Sequence, residues 1–153
     1  MNKVVTVKNI KIGEGIPKIA IPISDSDYTG IKKSVNLIMN SPCDLIEWRG
    51  DFYNDVTDPE VRIKPLTLFR NQLWNLPVLF TIRTDVEGGM MEIDTKDYTD
   101  LLLAVIDSGL IDIVRNCAIG LASFCIFWGQ HTLCFILYCF DYITIFPFCV
   151  GIF

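Results

Sequence analysis

The sequence predicts an α/β chain of parallel strand–helix units, and three observations predict it. Residues 18–23, 44–49 and 77–84 are short, mostly apolar runs of the kind that form strands buried on both faces. Between them lie stretches with helical spacing of apolar residues and capping residues at their starts. The second and third runs also end in charge, as Leu45-Ile46-Glu47-Trp48-Arg49-Gly50-Asp51-Phe52 and as Phe80-Thr81-Ile82-Arg83-Thr84 followed by Glu87-Gly88-Gly89. Charged residues at successive strand C-termini are where a parallel barrel collects its active site.

Residues 4–8 and 10–12 alternate as two short strands, with Gly13 and Gly15 as punctuation, and read as a hairpin. Residues 18–23 form the first parallel strand, although Pro22 removes one donor from its ladder. Ser26 or Asp27 caps a helix over 28–40, weakened by Gly30, whose apolar face is Ile31, Val35, Leu37 and Ile38. Ser41-Pro42 ends it, and 44–49 is the second strand, with Glu47 and Arg49 on one face and Ile46 and Trp48 on the other.

Thr57-Asp58-Pro59-Glu60 starts a helix running toward Trp74. Pro65 inside it costs about 3 kcal/mol unless the helix kinks or starts late, and a kink or a late start is expected. The third strand is 77–84, with Arg83 on the face of Thr81. Asp94 or Thr95 caps a third helix in which Tyr98, Leu101, Leu102, Val105 and Ile106 fall at helical spacing; Gly109 stops it, and 111–114 begins a fourth strand.

Taken alone, Glu47 and Arg49 read either as a salt-bridged strand end or as part of a site. The repeat of the same design at Arg83 and Glu87 favours a site. Two arginines and two glutamates at adjacent strand ends suggest an anionic, oxygen-rich small substrate. The 18 acidic residues outnumber the 13 basic ones, which are scattered, so no nucleic-acid partner is expected. Up to Val114 the only cysteine is Cys43, which suits a reducing cytosol, and Met1-Asn2-Lys3 leads into a charged strand, unlike a secretory signal.

Residues 115–153 differ. They contain only Arg115 and Asp141 as formal charges, yet five of the six cysteines and seven of the ten phenylalanines. Cys117, Cys125, Cys134, Cys139 and Cys149 are spaced by 8, 9, 5 and 10, with no C-x-x-C pair and a single histidine, His131, so no metal site is expected. A window near residue 130 is long and apolar enough to suggest a membrane helix, but no Lys or Arg follows Arg115 to orient it, and its Phe, Cys, Ile and Thr content is that of aggregation-prone sequence. An interrupted or frame-shifted reading would produce such a join, and the tail is read as a non-native continuation; a small head with a C-terminal membrane anchor is the alternative.

Several blocks in order resemble the N-terminal half of type I 3-dehydroquinate dehydratase: Val7-Lys8-Asn9-Ile10, Ile12-Gly13-Glu14-Gly15-Ile16-Pro17-Lys18-Ile19, Glu47-Trp48-Arg49, Phe80-Thr81-Ile82-Arg83-Thr84 with Glu87-Gly88-Gly89, and Ala104-Val105-Ile106-Asp107-Ser108-Gly109-Leu110. The resemblance covers residues 1 to about 114. It implies a partial (β/α)8 TIM barrel with an N-terminal β-hairpin over the N-terminal mouth, truncated after about the fourth strand, since a whole barrel typically needs ~250 residues. The implied activity is dehydration of 3-dehydroquinate to 3-dehydroshikimate in the shikimate route. It proceeds through a lysine Schiff base and a histidine base, with no metal or cofactor, in a cytoplasmic and typically homodimeric enzyme.

By the same resemblance Glu47, Trp48, Arg49 and Arg83 bind substrate, and Glu87 helps orient the histidine. The family's lysine and histidine lie on later strands. Here the last lysine is Lys96, within a predicted helix, and His131 sits in Gly129-Gln130-His131-Thr132-Leu133 instead of the family's Ser-Asn-His-Asp. The expectation is therefore a carbon–oxygen lyase by family and an inactive chain as it stands. A non-catalytic fragment that binds anionic hydroxy acids is the alternative.

Overall fold

A computed structural model describes residues 4–116, 124–129, 132–137 and 143–145, the last three segments as strand backbone. Strands β1 (Val5–Val7) and β2 (Ile10–Ile12) form an antiparallel hairpin. They are followed by β3 (Lys18–Ile23), α1 (Tyr28–Ile38), β4 (Leu45–Arg49), α2 (Pro59–Gln72), β5 (Val78–Thr81), α3 (Thr95–Asp107) and β6 (Ile113–Asn116). Strands β3 to β6 are parallel and lie side by side in chain order.

Each helix starts where the sequence offers a carboxylate. Asp27, Asp58 and Asp94 are the three N-caps, accepting from the amides of Gly30, Glu60 and Asp97 at 2.8 Å each. Such caps satisfy amides that have no partner inside the helix. In α1 the buried residues are Ile31, Val35 and Ile38, and in α3 they are Tyr98, Leu101, Leu102, Val105 and Ile106. Leu37 is not part of the α1 core face as expected: at 62% exposed it lies a residue away from the stripe set by Ile31, Val35 and Ile38. Helix α2 starts at Pro59 and continues through Pro65, so the late start does not occur; Pro65 is buried with Leu66, Leu68 and Phe69, and that burial offsets part of the lost hydrogen bond.

The period of two sorts the strands into two faces. Ile21, Ile23, Ile46, Trp48, Val78, Phe80 and Val114 pack among helix residues such as Ile31, Val35, Leu66, Phe69 and Leu102. Ala20, Leu45, Leu79 and Ile113 point the other way and pack under Val7, Ile10 and Ile12 of the hairpin. The hairpin thus closes the end of the sheet where the strands begin, the N-terminal mouth it was expected to cover.

Pro22 is accommodated by the alternation of the ladder. Ile19 exchanges bonds with the β4 side, so Ala20 and Pro22 direct their main-chain groups to the opposite neighbour. That neighbour, β9 (Ile143–Ile145), pairs with β3 only from Lys18 to Ala20 and ends before Pro22. At the other edge β7 (Phe124–Gly129) runs antiparallel to β6, and β8 (Thr132–Leu137) runs antiparallel to β7. The edges of the four parallel strands are therefore both occupied. The described part of the tail contributes three strands and no helix, unlike the strand–helix units before it.

Two aspartates fix the strand starts in the same way. The Ile19 amide donates to Asp44 Oδ2 at 2.7 Å while the Asp44 amide donates to the Ile19 carbonyl at 2.9 Å. One strand pair later, the Val78 amide donates to Asp112 Oδ2 at 2.9 Å and the Asp112 amide to the Val78 carbonyl at 3.1 Å. Asp112 also meets Lys8 Nζ and Arg70 Nη1, each at 3.4 Å. Lys8 donates to the carbonyls of Trp74 and Leu76 as well, pinning the hairpin turn to the start of β5. Burial pulls the Lys8 ammonium below its ordinary pKa against the opposing pull of Asp112.

Two stability predictions follow from this packing. Asp44→Ala leaves the Ile19 amide without its acceptor and should lower the unfolding free energy by about 1–3 kcal/mol in urea denaturation, whereas Asp44→Asn, which keeps an acceptor, should lose less; an alanine variant as stable as the parent would refute the clamp. Trp48 is fully buried against Tyr53, Phe69 and Phe80, with ring centroids at 5.2–5.7 Å. Trp48→Ala should cost about 3–5 kcal/mol by the same measurement.

Candidate active site

The strand ends opposite the hairpin bring the charged residues together. The register aligns Glu47 with Leu79 and Ile113, and one level further along aligns Arg49 with Thr81 and Arg115. Residues paired across a parallel ladder share a face, so Glu47, Arg49, Thr81 and Arg115 lie on the side away from the helices. Thr81 donates its hydroxyl to Glu47 Oε1 at 2.8 Å, both residues being buried. That bond gives a buried carboxylate a fixed orientation.

Arg49 is held by its near neighbours. Its Nε donates to Asp51 Oδ1 at 2.8 Å and its Nη2 to Asp51 Oδ2 at 2.7 Å, a bidentate pair, while its Cζ sits 4.8 Å from the centre of the Phe52 ring. The turn Gly50–Phe52 makes this possible, and Gly50 is needed there because a Cβ would press into Phe80 and Ile82. Arg83 follows the end of β5 and is half-buried, with no hydrogen bond or ion pair to any described residue.

Glu87 lies in the short turn Asp85–Glu87, closed by Gly88 in the left-handed region at φ 75°. The Asp85 amide donates to Met91, and the Glu87 and Gly89 amides donate to the Thr84 carbonyl. A Cβ on Gly89 would run into the Arg83 carbonyl, so the loop is folded directly onto the backbone of Arg83. Glu87 Oε2 is buried and accepts no hydrogen bond within the described structure.

Trp48 requires a correction. It was expected among the substrate-binding residues, but it faces the helices and is fully enclosed by Tyr53, Phe69 and Phe80. Alternation along β4 separates it from Glu47 and Arg49 by the thickness of the sheet, so it supports the site from behind without facing it. Two residues escaped the sequence reading. Asp51 is visible in the sequence only as a carboxylate two residues after Arg49, and Arg115, a buried cation opposite Thr81, reads there only as the last charge before the apolar tail. His131 lies outside the described residues, as do Cys117, Cys139 and Cys149.

A separate cleft of about 830 Å³ is lined by Thr57, Arg62, Glu92, Asp94, Asp97 and Asp100 among others, and includes none of Glu47, Arg49, Arg83 and Glu87. Among the described residues no helix is long and apolar enough to cross a membrane.

Residues 19–115 match the family model of type I 3-dehydroquinase. The chain is 38% identical over 114 residues to the 3-dehydroquinate dehydratase of Bacillus licheniformis and 39% identical over 114 residues to that of Clostridium botulinum, covering 74% of this chain and 45% of each relative. The chain thus spans about half the length of the curated relatives it matches. Among solved structures, the type I 3-dehydroquinate dehydratase of Clostridium difficile superposes with a TM-score of 0.71 at 37% identity, covering 74% of this chain and 45% of that one. The enzyme of Geobacillus kaustophilus gives 0.66 at 34% identity, covering 74% and 46%. Fold and sequence agree over the same residues, and the chain belongs to the type I 3-dehydroquinase family.

Proposed function

We propose that this chain carries the substrate-binding side of a 3-dehydroquinate dehydratase and, as a 153-residue chain, does not perform the dehydration by itself. The observation that carries this reading is the placement of Glu47 and Arg49 in the last residues of β4 and of Arg83 two residues past the end of the adjacent parallel strand β5. A carboxylate held by Thr81 can accept from substrate hydroxyls, and the two guanidiniums supply charge for a carboxylate. Arg83, with no partner among the described residues, is the stronger candidate for direct contact. Glu87 takes the orienting role for a base: its buried Oε2 is an acceptor without a donor, the condition expected of a carboxylate whose imidazole partner is not among the described residues.

The chemistry of the family sets what else is needed. A lysine amine condenses with the ketone, water leaves, and the resulting iminium makes the neighbouring carbon–hydrogen bond acidic enough for a histidine to take its proton. All eight lysines of this chain lie at or before Lys96. Of those described, Lys18 opens β3 at the hairpin end, Lys96 lies in the first turn of α3, and none stands at the C-terminal end of the parallel strands β3 to β6. The substrate proposed is 3-dehydroquinate, and the setting proposed is cytoplasmic and homodimeric. Residues 115–153 are proposed to be a non-native continuation, a reading supported by the loss of strand–helix alternation after β6.

Titration of the chain with 3-dehydroshikimate should give saturable binding, reduced about 10- to 100-fold by Arg83→Ala, the range for losing a charge-assisted hydrogen bond of roughly 1.5–3 kcal/mol. Absence of saturable binding by the parent would sink the reading. Incubation with 3-dehydroquinate and borohydride should leave the mass of the chain unchanged and produce no 3-dehydroshikimate. A stoichiometric adduct on any lysine would show that the chain carries its own condensing amine.

A further inference from the structure

We propose that Asp51 is a positioning residue that couples the Arg49 guanidinium to the loop carrying Glu87, so that the two strand ends of the site hold one arrangement. The inference rests on the substrate-binding reading only in taking Arg49, Arg83 and Glu87 as parts of one site. Its own basis is geometric. The Asp51 side chain is fully enclosed, and its carboxylate binds Arg49 at both oxygens, through Nε at 2.8 Å and Nη2 at 2.7 Å. An ion pair removed from water to this extent needs further donors to offset desolvation. One comes from the other strand end, where the Met90 amide donates to Asp51 Oδ2 at 3.4 Å.

Met90 is not on a free-swinging segment. Thr84 bridges Met91, the Asp85 amide donates to the Met91 carbonyl at 2.9 Å, and the Gly89 amide donates to the Thr84 carbonyl at 2.8 Å. These bonds close residues 84–91 into a single turn of chain that includes Glu87. Gly89 lies so near Arg83 that no side chain fits between them. The loop therefore rests on the Arg83 backbone on one side and on the Asp51 carboxylate on the other. Moving Asp51 would tilt the Arg49 fork, which Phe52 confines from a third direction, and would remove a support of the Glu87 turn at the same time. A carboxylate that only stabilised the end of β4 would not connect these two events.

The test is hydrogen exchange and ¹⁵N NMR on the full chain, comparing the parent with Asp51→Asn. An asparagine keeps the shape but cannot reproduce the charged fork. The expected result is exchange at the Met90 amide at least about tenfold faster, with loss of the Arg49 Nε–H signal from its paired position, while amides in α2 and α3 exchange as in the parent. Unchanged exchange at Met90, or an equal acceleration in the helices, would overturn the coupling. Should Asp51→Asn fail to fold, Arg49→Lys decides by the same readout, because an ammonium cannot form the fork; Met90 must again exchange about tenfold faster, and no change refutes the proposal. Titration with 3-dehydroshikimate separates the two ideas. If the parent binds and Asp51→Asn binds equally well, the coupling is wrong; if the parent does not bind, the substrate-binding reading fails and the exchange comparison alone decides the role of Asp51.

Discussion

The register of β4 against its neighbours is the constraint on which the rest of the structure depends. Side chains alternate across a sheet with a period of two, so a slip of one residue would bring Trp48 to the face of the site and send Glu47 and Arg49 among Phe69 and Phe80. Burying an unpaired carboxylate and guanidinium there would cost several kcal/mol, which makes the slipped register inaccessible. Asp44 adds a positive restraint, since its carboxylate and amide grip both main-chain groups of Ile19 and leave β4 one way to lie along β3. Asp112 applies the same grip to Val78, and through Lys8 it ties the hairpin to the sheet. The polar groups at the strand starts thus decide where the polar groups at the strand ends appear.

Much of this was legible in the sequence because it is local. The boundaries of β2 and β3, the caps of α2 and α3, and the five buried residues of α3 follow from periodicity and capping chemistry within a dozen residues. The opposition of Glu47 and Arg49 to Ile46 and Trp48 is likewise a statement about one strand. Where the reading of Trp48 went astray, a motif assigned three adjacent residues to one role although strand geometry had already divided them. The local rule was the better guide.

What was not legible depends on contacts between distant segments. Nothing near Asp51 in the sequence points to Met90, 39 residues away, and nothing near Asp112 points to Lys8. The continuity of α2 through Pro65 reflects a buried ring on a core-facing side of the helix, a tertiary term that local propensity does not contain. The occupied edges of the parallel sheet are similar: β7 and β9 come from a stretch with no recognisable strand–helix grammar, and their pairing with β6 and β3 is fixed by main-chain groups that every residue carries. Even so, the repeated pattern of an aspartate followed by two aliphatic residues, Asp44-Leu45-Ile46 and Asp112-Ile113-Val114, was present in the sequence as a sign of the two equivalent clamps.

The two arginines at the strand ends are alike in sequence position and unlike in state. Arg49 is committed, with its fork closed on Asp51 and its face on Phe52, so its positive charge is largely balanced before any ligand arrives. Arg83 has no such balance among the described residues. Two unbalanced guanidiniums on adjacent strand ends would repel each other and destabilise the empty site; one balanced and one open avoids that cost while keeping a net attraction for an anion. Under the proposed substrate-binding role, the division also suits recognition. A fixed guanidinium loses little conformational freedom when it meets a ligand, and an open one retains the charge that draws the ligand in. Asp51 therefore determines more than the stability of a strand end, because it neutralises Arg49 while Arg83, at the next strand end, keeps no side-chain partner among the described residues.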